Sequence, residues 1–264
     1  MRVYAYNFER FSMRVGTAEP VPPGLLTALR SHGWFGGCDE RFQLALLAMA
    51  RLHRCAAGET LFVRGGEPEG LCCVVAGAIR LGSVDARSGT QRLWHYLEPY
   101  QWFGEVSVLD GLPRLLDAVA DQDSSVLVVP TVKLEAWLDS HPQHWRDLSR
   151  LACNKLRWMM AASEDRDALP VAQQVARSLV LAASHAGQAP WGHWRRRLRV
   201  PQDHLASLLG VSRQTINRAL RALATEGLIR LGYAEIEILQ LEGLLERSGA
   251  FDPVIYPGLH MPPG

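Results

Sequence analysis

DHLASLLGVSRQTINRAL, residues 203–220, reads as two short helices hinged at Gly210. The first is expected over Gln202 to Leu209, where Leu205, Leu208 and Leu209 are apolar. Gly210 supplies the positive φ of a tight helix-to-helix turn, and Ser212 is a good N-cap for the second helix. There Ile216, Ala219, Leu220 and Leu223 stand at i, i+3, i+4 and i+7, the spacing of a buried stripe. The opposite face carries Arg213, Gln214, Asn217, Arg218 and Arg221, side chains that can donate to base edges or phosphates. The earliest of them sit at the helix N-terminus, the part that a recognition helix places in the major groove. Gly227 ends the helix, and GLIRLGYAEIEILQ (227–240) alternates apolar and polar residues around Gly232, as a hairpin serving as a wing would. An arginine-rich solvated helix would account for the charges but not for the glycine, the cap, the apolar face and the hairpin together. The DNA-binding candidates are therefore Ser212, Arg213, Gln214, Thr215, Asn217, Arg218 and Arg221.

Charge distribution agrees with this reading. Lysine plus arginine number 28 against 27 acids, so the average charge points to no partner. From Trp191 to Leu231, however, eight arginines (195, 196, 197, 199, 213, 218, 221 and 230) face only Asp203 and Glu226, a local excess of six. That is the footprint of a nucleic-acid-binding segment in a near-neutral protein. At 264 residues and 48% hydrophobic, the chain is long enough for two modest domains, each with its own core.

No apolar run approaches the roughly 18 residues needed to cross a bilayer, and MRVYAYNFERFSMRVG lacks the layout of a signal peptide, so a cytoplasmic protein with no membrane partner is expected. The five cysteines (38, 55, 72, 73 and 153) are odd in number and scattered, which argues for buried thiols rather than a disulfide framework. Cys72 and Cys73 with His53 and Cys55 form the one set that could be stretched to a metal or redox site. A strand through LCCVVAG explains the pair more simply, and no metal site is assigned.

After a helical preface (LLTALRSH, then DERFQLALLAMARL), Arg54 to Pro130 reads as an all-β unit. Glycine-rich turns separate GETLFVRGGEPEG, LCCVVAGAIRLGSV, QRLWHYL, FGEVSVLDGLP and SSVLVVP, at spacings that suggest an antiparallel barrel or roll. TVKLEAWLDS is helical, and a long helix is expected from about Pro142, a residue suited to a first turn, to Asp165. Trp145, Ala152 and Met159 recur every seven residues along it, with Leu148 and Leu156 on the same side. So narrow a stripe suits a seam across a two-fold axis, and about 36 Å of helix is ample for one. A helix lying on its own domain is the alternative. EDRDALP (164–170) marks a hinge, and VAQQVARSLVLAASHA leads as a helix into the basic unit.

These features in this order resemble the CRP/FNR family of bacterial transcription regulators. Residues 203–231 resemble its DNA-binding motif; GETLFVRGGEPEGLCCVVAGAIRL, FGEVSVLDGLPR and the long hinged helix resemble the rest, over about Leu25 to Glu246. The resemblance implies an α+β architecture: an N-terminal antiparallel β-roll of the cyclic-nucleotide-binding type, a long dimerisation helix and a C-terminal winged helix-turn-helix. The expected division is an extension over 1–24, the roll over 25–141, the dimerisation helix and hinge over 142–166, the DNA-binding domain over 167–249 and a tail over 250–264. The extension and the tail lie outside the resemblance, with disorder as their expectation. The implied partners are palindromic double-stranded DNA, a second copy of the chain across the Trp145, Leu148, Ala152, Leu156, Met159 seam, and RNA polymerase. In relatives an Arg, a Glu and an Arg at the positions of Arg213, Gln214 and Arg218 read G, C and G; Gln214 departs from that pattern.

The resemblance also locates an effector site. In cAMP-binding relatives a glycine and a glutamate approach the ribose, an arginine neutralises the cyclic phosphate, and a serine follows the arginine. Gly104, Glu105 and Arg114 are kept, but Leu115 stands where the serine would be. An ungapped alignment of Leu148 through Leu179 puts Met159 and Met160 where relatives carry a Thr-Ser pair that meets the adenine. Glu105 and Arg114 would equally form an ion pair holding the loop with no ligand at all. With three polar partners gone, cAMP is expected to be a weak ligand or none; no resident cofactor is assigned, and the candidate ligand is a different small-molecule or nucleotide effector. No cysteine precedes Cys38 and no C-x-x-C occurs, which argues against an iron–sulfur sensor, and lone histidines such as His53 and His95 give no case for haem. Two rivals are a nucleotide-binding module governing an enzyme, for which no catalytic motif is present, and an enzyme using the residues around His53 to Cys73.

Overall fold

The computed structural model describes residues 24–84, 91–184, 194–232, 235–256 and 259. The N-terminal extension, apart from Gly24, lies outside the described residues, as does the tail from His260 onward. The chain divides into two compact units: one runs to Ala152 without residues 31–34, the other comprises those four and Cys153 onward.

The first unit opens with α1 (Leu25–Arg30), α2 (Gly33–Gly36) and α3 (Glu40–Met49), the last capped by Asp39, whose side chain accepts from the Arg41 N–H. Eight strands follow: β1 (Arg51–Cys55), β2 (Thr60–Phe62), β3 (Gly70–Ala76), β4 (Ile79–Val84), β5 (Gln91–Leu97), β6 (Trp102–Phe103), β7 (Asp117–Ala120) and β8 (Ser124–Pro130). They form two antiparallel four-stranded sheets, ordered β1-β8-β3-β6 and β2-β7-β4-β5. Alternate residues of both sheets fill one core, among them Leu61, Phe62, Cys72, Val74, Ile79, Phe103, Val126 and Val128. Leu127 and Val129 are also fully buried, because α3 and then α5 (Thr131–Ser140) pack against β8.

That alternation explains the cysteine pair. Cys72 points into the core between the sheets and Cys73 to the opposite face, both with no exposure. Burial pushes the Cys73 thiol well above its ordinary pKa. No cluster of three or more metal-ligating side chains exists among the described residues, and no helix there is long and apolar enough to cross a membrane.

One segment of the β reading is corrected. FGEVSVLDGLP contains a helix, α4 (Glu105–Asp110), bounded by Gly104 and Gly111, both left-handed at φ 86° and φ 67°. Val106 and Val108 mimic strand alternation, but Val106 is exposed while Glu105, Ser107 and Val108 are buried, Glu105 and Val108 at helical spacing.

The long helix also begins and ends later than expected. Pro142–His144 form a 3₁₀ turn, α6 runs from Trp145 to Ala168, and the break falls at Leu169-Pro170 before α7 (Val171–Ala183). The buried His144 starts α6 by stacking on Phe42 of α3, with ring centroids 5.3 Å apart, while its Nδ1 lies 2.9 Å from Asp147 Oδ2. Leu148 is wholly buried and presents no surface to a seam with another chain. The large exposed apolar side chains of α6 are Leu156, Met159 and Met160.

In the second unit α7 packs on α8 (Gln202–Leu209), α9 (Arg213–Thr225) and α10 (Leu241–Ser248). Beside them lies an antiparallel sheet, β10 (Ile229–Leu231), β11 (Ile236–Ile238) and β9 (Arg197–Leu198), in the order β10-β11-β9. The expected wing is present, with β9 as a third strand that the sequence did not suggest. Over 250–256 and at Leu259 the expected disorder is overturned: Phe251, Tyr256 and Leu259 are buried in the core of this unit. Aromatic anchors hold a segment whose prolines suggested none.

Candidate nucleic-acid interface and effector cradle

The helix pair forms as its residues dictate. Gly210 closes α8 in the left-handed region, at φ 69° and ψ 29°, and its N–H donates to Ala206 O. Ser212 caps α9 by accepting from the Thr215 N–H at 3.1 Å. Ile216, Leu220 and Leu223 are essentially unexposed and Ala219 is buried, so one face of α9 is committed to the core. Arg213, Gln214, Arg218 and Arg221 are exposed on the other.

The remaining candidates have duties inside the unit. The Ser212 and Thr215 hydroxyls lie 2.8 Å apart and complete the cap. Asn217 is partly buried and its Nδ2 donates to Gln202 Oε1 at 3.1 Å, tying α9 to α8. Arg213 lies 3.4 Å from Asp203, an exposed and easily exchanged pair. Gln202 thus ties α8 to α9, a contact that sequence spacing did not reveal.

The basic footprint is smaller than the arginine count implies. Arg195 Nη2 donates to Ala182 O at 2.6 Å, which makes it a strut to α7. Arg230 pairs with Glu237 at 2.6 Å, and Arg197 lies 3.8 Å from both Glu235 and Glu237, so the wing neutralises much of its own charge. Arg218 and Arg221 form no ion pair among the described residues. Their exposed guanidinium groups can donate to phosphates or to guanine edges.

In the first unit the structure brings Gly104, Glu105 and Arg114 together. Arg114 is turned into the protein: Nη1 donates to Gly104 O at 3.1 Å, Nη2 to Gly70 O at 2.6 Å, and the guanidinium carbon sits 4.3 Å from the Phe62 ring centroid. Its Nε is buried with no hydrogen-bond partner. Burial holds the Arg114 pKa below its ordinary value, against the opposing pull of Cys72, Glu69 and Glu105. Gly104 is required twice over, by its positive φ and because a Cβ there would stand 2.6 Å from Arg114 Nη1. Glu105 is itself buried. Leu115 and Leu112 are exposed, and Met159 and Met160 stand exposed on α6 in the other unit.

Comparison with known proteins agrees with both halves of this picture. Residues 52–141 match the cyclic nucleotide-binding domain family and residues 173–247 the Crp-like helix-turn-helix domain family. The Cyclic AMP receptor protein of Thermus thermophilus is 31% identical over 206 residues, covering 77% of this chain and 90% of that protein. The chain belongs to the CRP/FNR family. It is accordingly a DNA-binding transcription regulator of the CRP/FNR type. The CRP-like cAMP-activated global transcriptional regulator of Mycobacterium tuberculosis is 28% identical over 220 residues, 83% of this chain and 98% of that protein. Among solved structures, a CRP/FNR regulator from Thermus thermophilus superposes with a TM-score of 0.58 at 26% identity, over 75% of this chain and 97% of that one. FixK2 from Bradyrhizobium japonicum shares the fold, with a TM-score of 0.67 at 22% identity over 77% and 99% of the two chains.

Proposed function

We propose that this CRP/FNR regulator works as a homodimer that reads a palindromic operator, one α9 per half-site, and acts on transcription together with RNA polymerase rather than as an enzyme. The observation that carries the reading is α9 itself, with Ile216, Leu220 and Leu223 locked into the core and Arg213, Gln214, Arg218 and Arg221 presented outward. The roll over 25–141 is the effector domain, 142–166 carries the dimer contact, and 167–249 reads DNA. Leu156 and Met159, with the half-buried Ala152 and Trp145, supply the seam, and the fully buried Leu148 is left out of it. Site selection from random DNA, followed by native mass spectrometry of the complex, tests this: two chains on one palindrome are expected, and one chain on an asymmetric site would overturn it.

The effector of the roll is not cAMP in this reading. Two of the relatives above are named for cAMP, but here Leu115, Met159 and Met160 replace polar groups and Arg114 is committed to two carbonyls. Drawing Arg114 toward a phosphate strips both carbonyls of a charged donor, a cost of about 1–3 kcal/mol each where water cannot replace it. Millimolar cAMP is expected to change operator affinity less than about tenfold, a coupling under about 1.4 kcal/mol. A calorimetric titration showing micromolar binding would reverse this.

A further inference from the structure

Only Leu169 and Pro170 separate α6 from α7, and Pro170 has no N–H to brace the junction. Side chains brace it instead. Gln174 Nε2 donates to Leu169 O at 2.8 Å and Arg166 O at 3.3 Å, satisfying carbonyls at the end of α6. Arg177 of α7, itself buried, does more. Its Nε meets Asp165 Oδ2 of α6 at 2.8 Å, and its Nη1 donates to Ser248 O at 3.2 Å and Ala250 O at 2.7 Å. Its guanidinium carbon lies 4.0 Å from the Phe251 ring centroid, and Tyr256 packs edge-on to Phe251 at 5.4 Å and 81°.

One guanidinium therefore joins three stretches of chain: the end of α6, the middle of α7, and the end of α10 with the segment that follows it. Gly249, at φ 73°, turns that last segment back over α7, while Gln173 Nε2 donates to Ser248 O at 3.3 Å. Tyr256 also lies by the junction, for the Asp165 carboxylate adds to burial in pushing its hydroxyl up to about 12. The helix-turn-helix family match stops at residue 247, so Phe251 and Tyr256 lie beyond the matched domain.

We propose that the segment after Gly249 is a latch: Phe251 and Tyr256, through Arg177 and Asp165, fix the α6–α7 junction and so set the angle at which α9 is presented from α6. The proposal rests on the homodimeric, palindrome-reading function above. Two reading helices must enter major grooves about 34 Å apart. A shift of about 3.4 Å, one base-pair step, puts a helix out of register with its half-site. Phe251 and Tyr256 are thus positioning residues. They touch no DNA, but the fixed half-site spacing depends on them.

The test uses the full chain, wild type against Phe251→Ala and Asp165→Asn, on the selected palindrome and on versions with one base pair inserted or deleted at its centre. Wild type is expected to lose at least about tenfold in affinity on the respaced sites, as it would for a mismatched base pair. The variants should bind the original site more weakly and lose less than about threefold further on respacing. Amide exchange over residues 166–176 should rise in the variants while α9 and the wing keep their protection. Unchanged spacing selectivity with unchanged exchange at the junction would overturn the latch, as would loss of protection throughout the unit, which marks ordinary core packing. If Phe251→Ala fails to fold, Asp165→Asn decides, because the Asp165 side chain is 24% exposed and leaves the aromatic packing intact. Wild type that reads no palindrome would sink the dimeric reading instead, and the exchange data, which need no DNA, would still decide the latch.

Discussion

Gln214 is exposed on the first turn of α9, where a recognition helix meets base edges. A glutamate there can only accept, which suits the amino group of cytosine; a glutamine both donates and accepts, which suits adenine N6 and N7. Arg213 and Arg218 should keep guanines at their positions through O6 and N7. Sites selected from random DNA should therefore keep these guanines and change or relax at the pair facing Gln214, and a strict cytosine there that survives Gln214→Ala would assign that base to another residue. The helix pair itself was legible, because cap, glycine and stripe sit within 18 residues and the helix is closed by local contacts. Arg114 was not. Its partner Gly70 O is 44 positions away, a pairing that only the roll's topology creates. Arg114→Met should lower the stability of the roll by about 2–4 kcal/mol in urea unfolding with no nucleotide present, since two carbonyls lose a charged donor. An arginine serving only a ligand would leave that stability unchanged.

At the scale of elements, α6 shows what a heptad pattern can and cannot say. Trp145, Leu148, Ala152, Leu156 and Met159 share one stripe, but a stripe does not state which neighbour covers each turn. The first turns are occupied from within, where His144 stacks on Phe42 and Leu148 has no exposure; Leu156, Met159 and Met160 remain open. Leu156 is 58% exposed in the single chain, so Leu156→Asp should leave the fold intact while placing two unpaired charges, one per protomer, in the seam. Light scattering should then report monomers at micromolar concentration, with the far-ultraviolet circular dichroism of the wild type; a persisting dimer would place the interface elsewhere. The same limit on pattern reading explains α4. Its six residues alternate like a strand, and the left-handed glycines on either side, not its own periodicity, make it a helix.

Across the whole molecule, the two units hold their ionisable groups differently, and alkaline pH should separate them. The first unit buries four thiols, and burial raises both Cys38 and Cys55 from 9.0 to about 12. The native state thus keeps these protons where the unfolded chain releases them. That stability is fully present below about pH 9 and is lost as pH rises from 9 toward 12, because there the unfolded state binds fewer protons than the native one. In the second unit, Tyr256 is raised from 10.0 to about 12, so its loss begins a full unit higher. Buried thiols were legible in the scattered cysteines, but not which one stays exposed, and the proline-bearing tail gave no sign that Phe251 and Tyr256 find α7. The melting temperature of the roll should hold from pH 7 to 9 and then fall, and that of the DNA-binding unit should begin to fall only above pH 10. Thiol titration gives the matching count: at pH 8 the native protein should expose Cys153 alone to an aromatic disulfide reagent, and denaturant should bring the total to five. Replacing Cys38 and Cys55 together by alanine should lessen the fall between pH 9 and 10, leaving the share of the buried Cys73, and an unchanged slope in that double variant would show that other groups govern the alkaline limb.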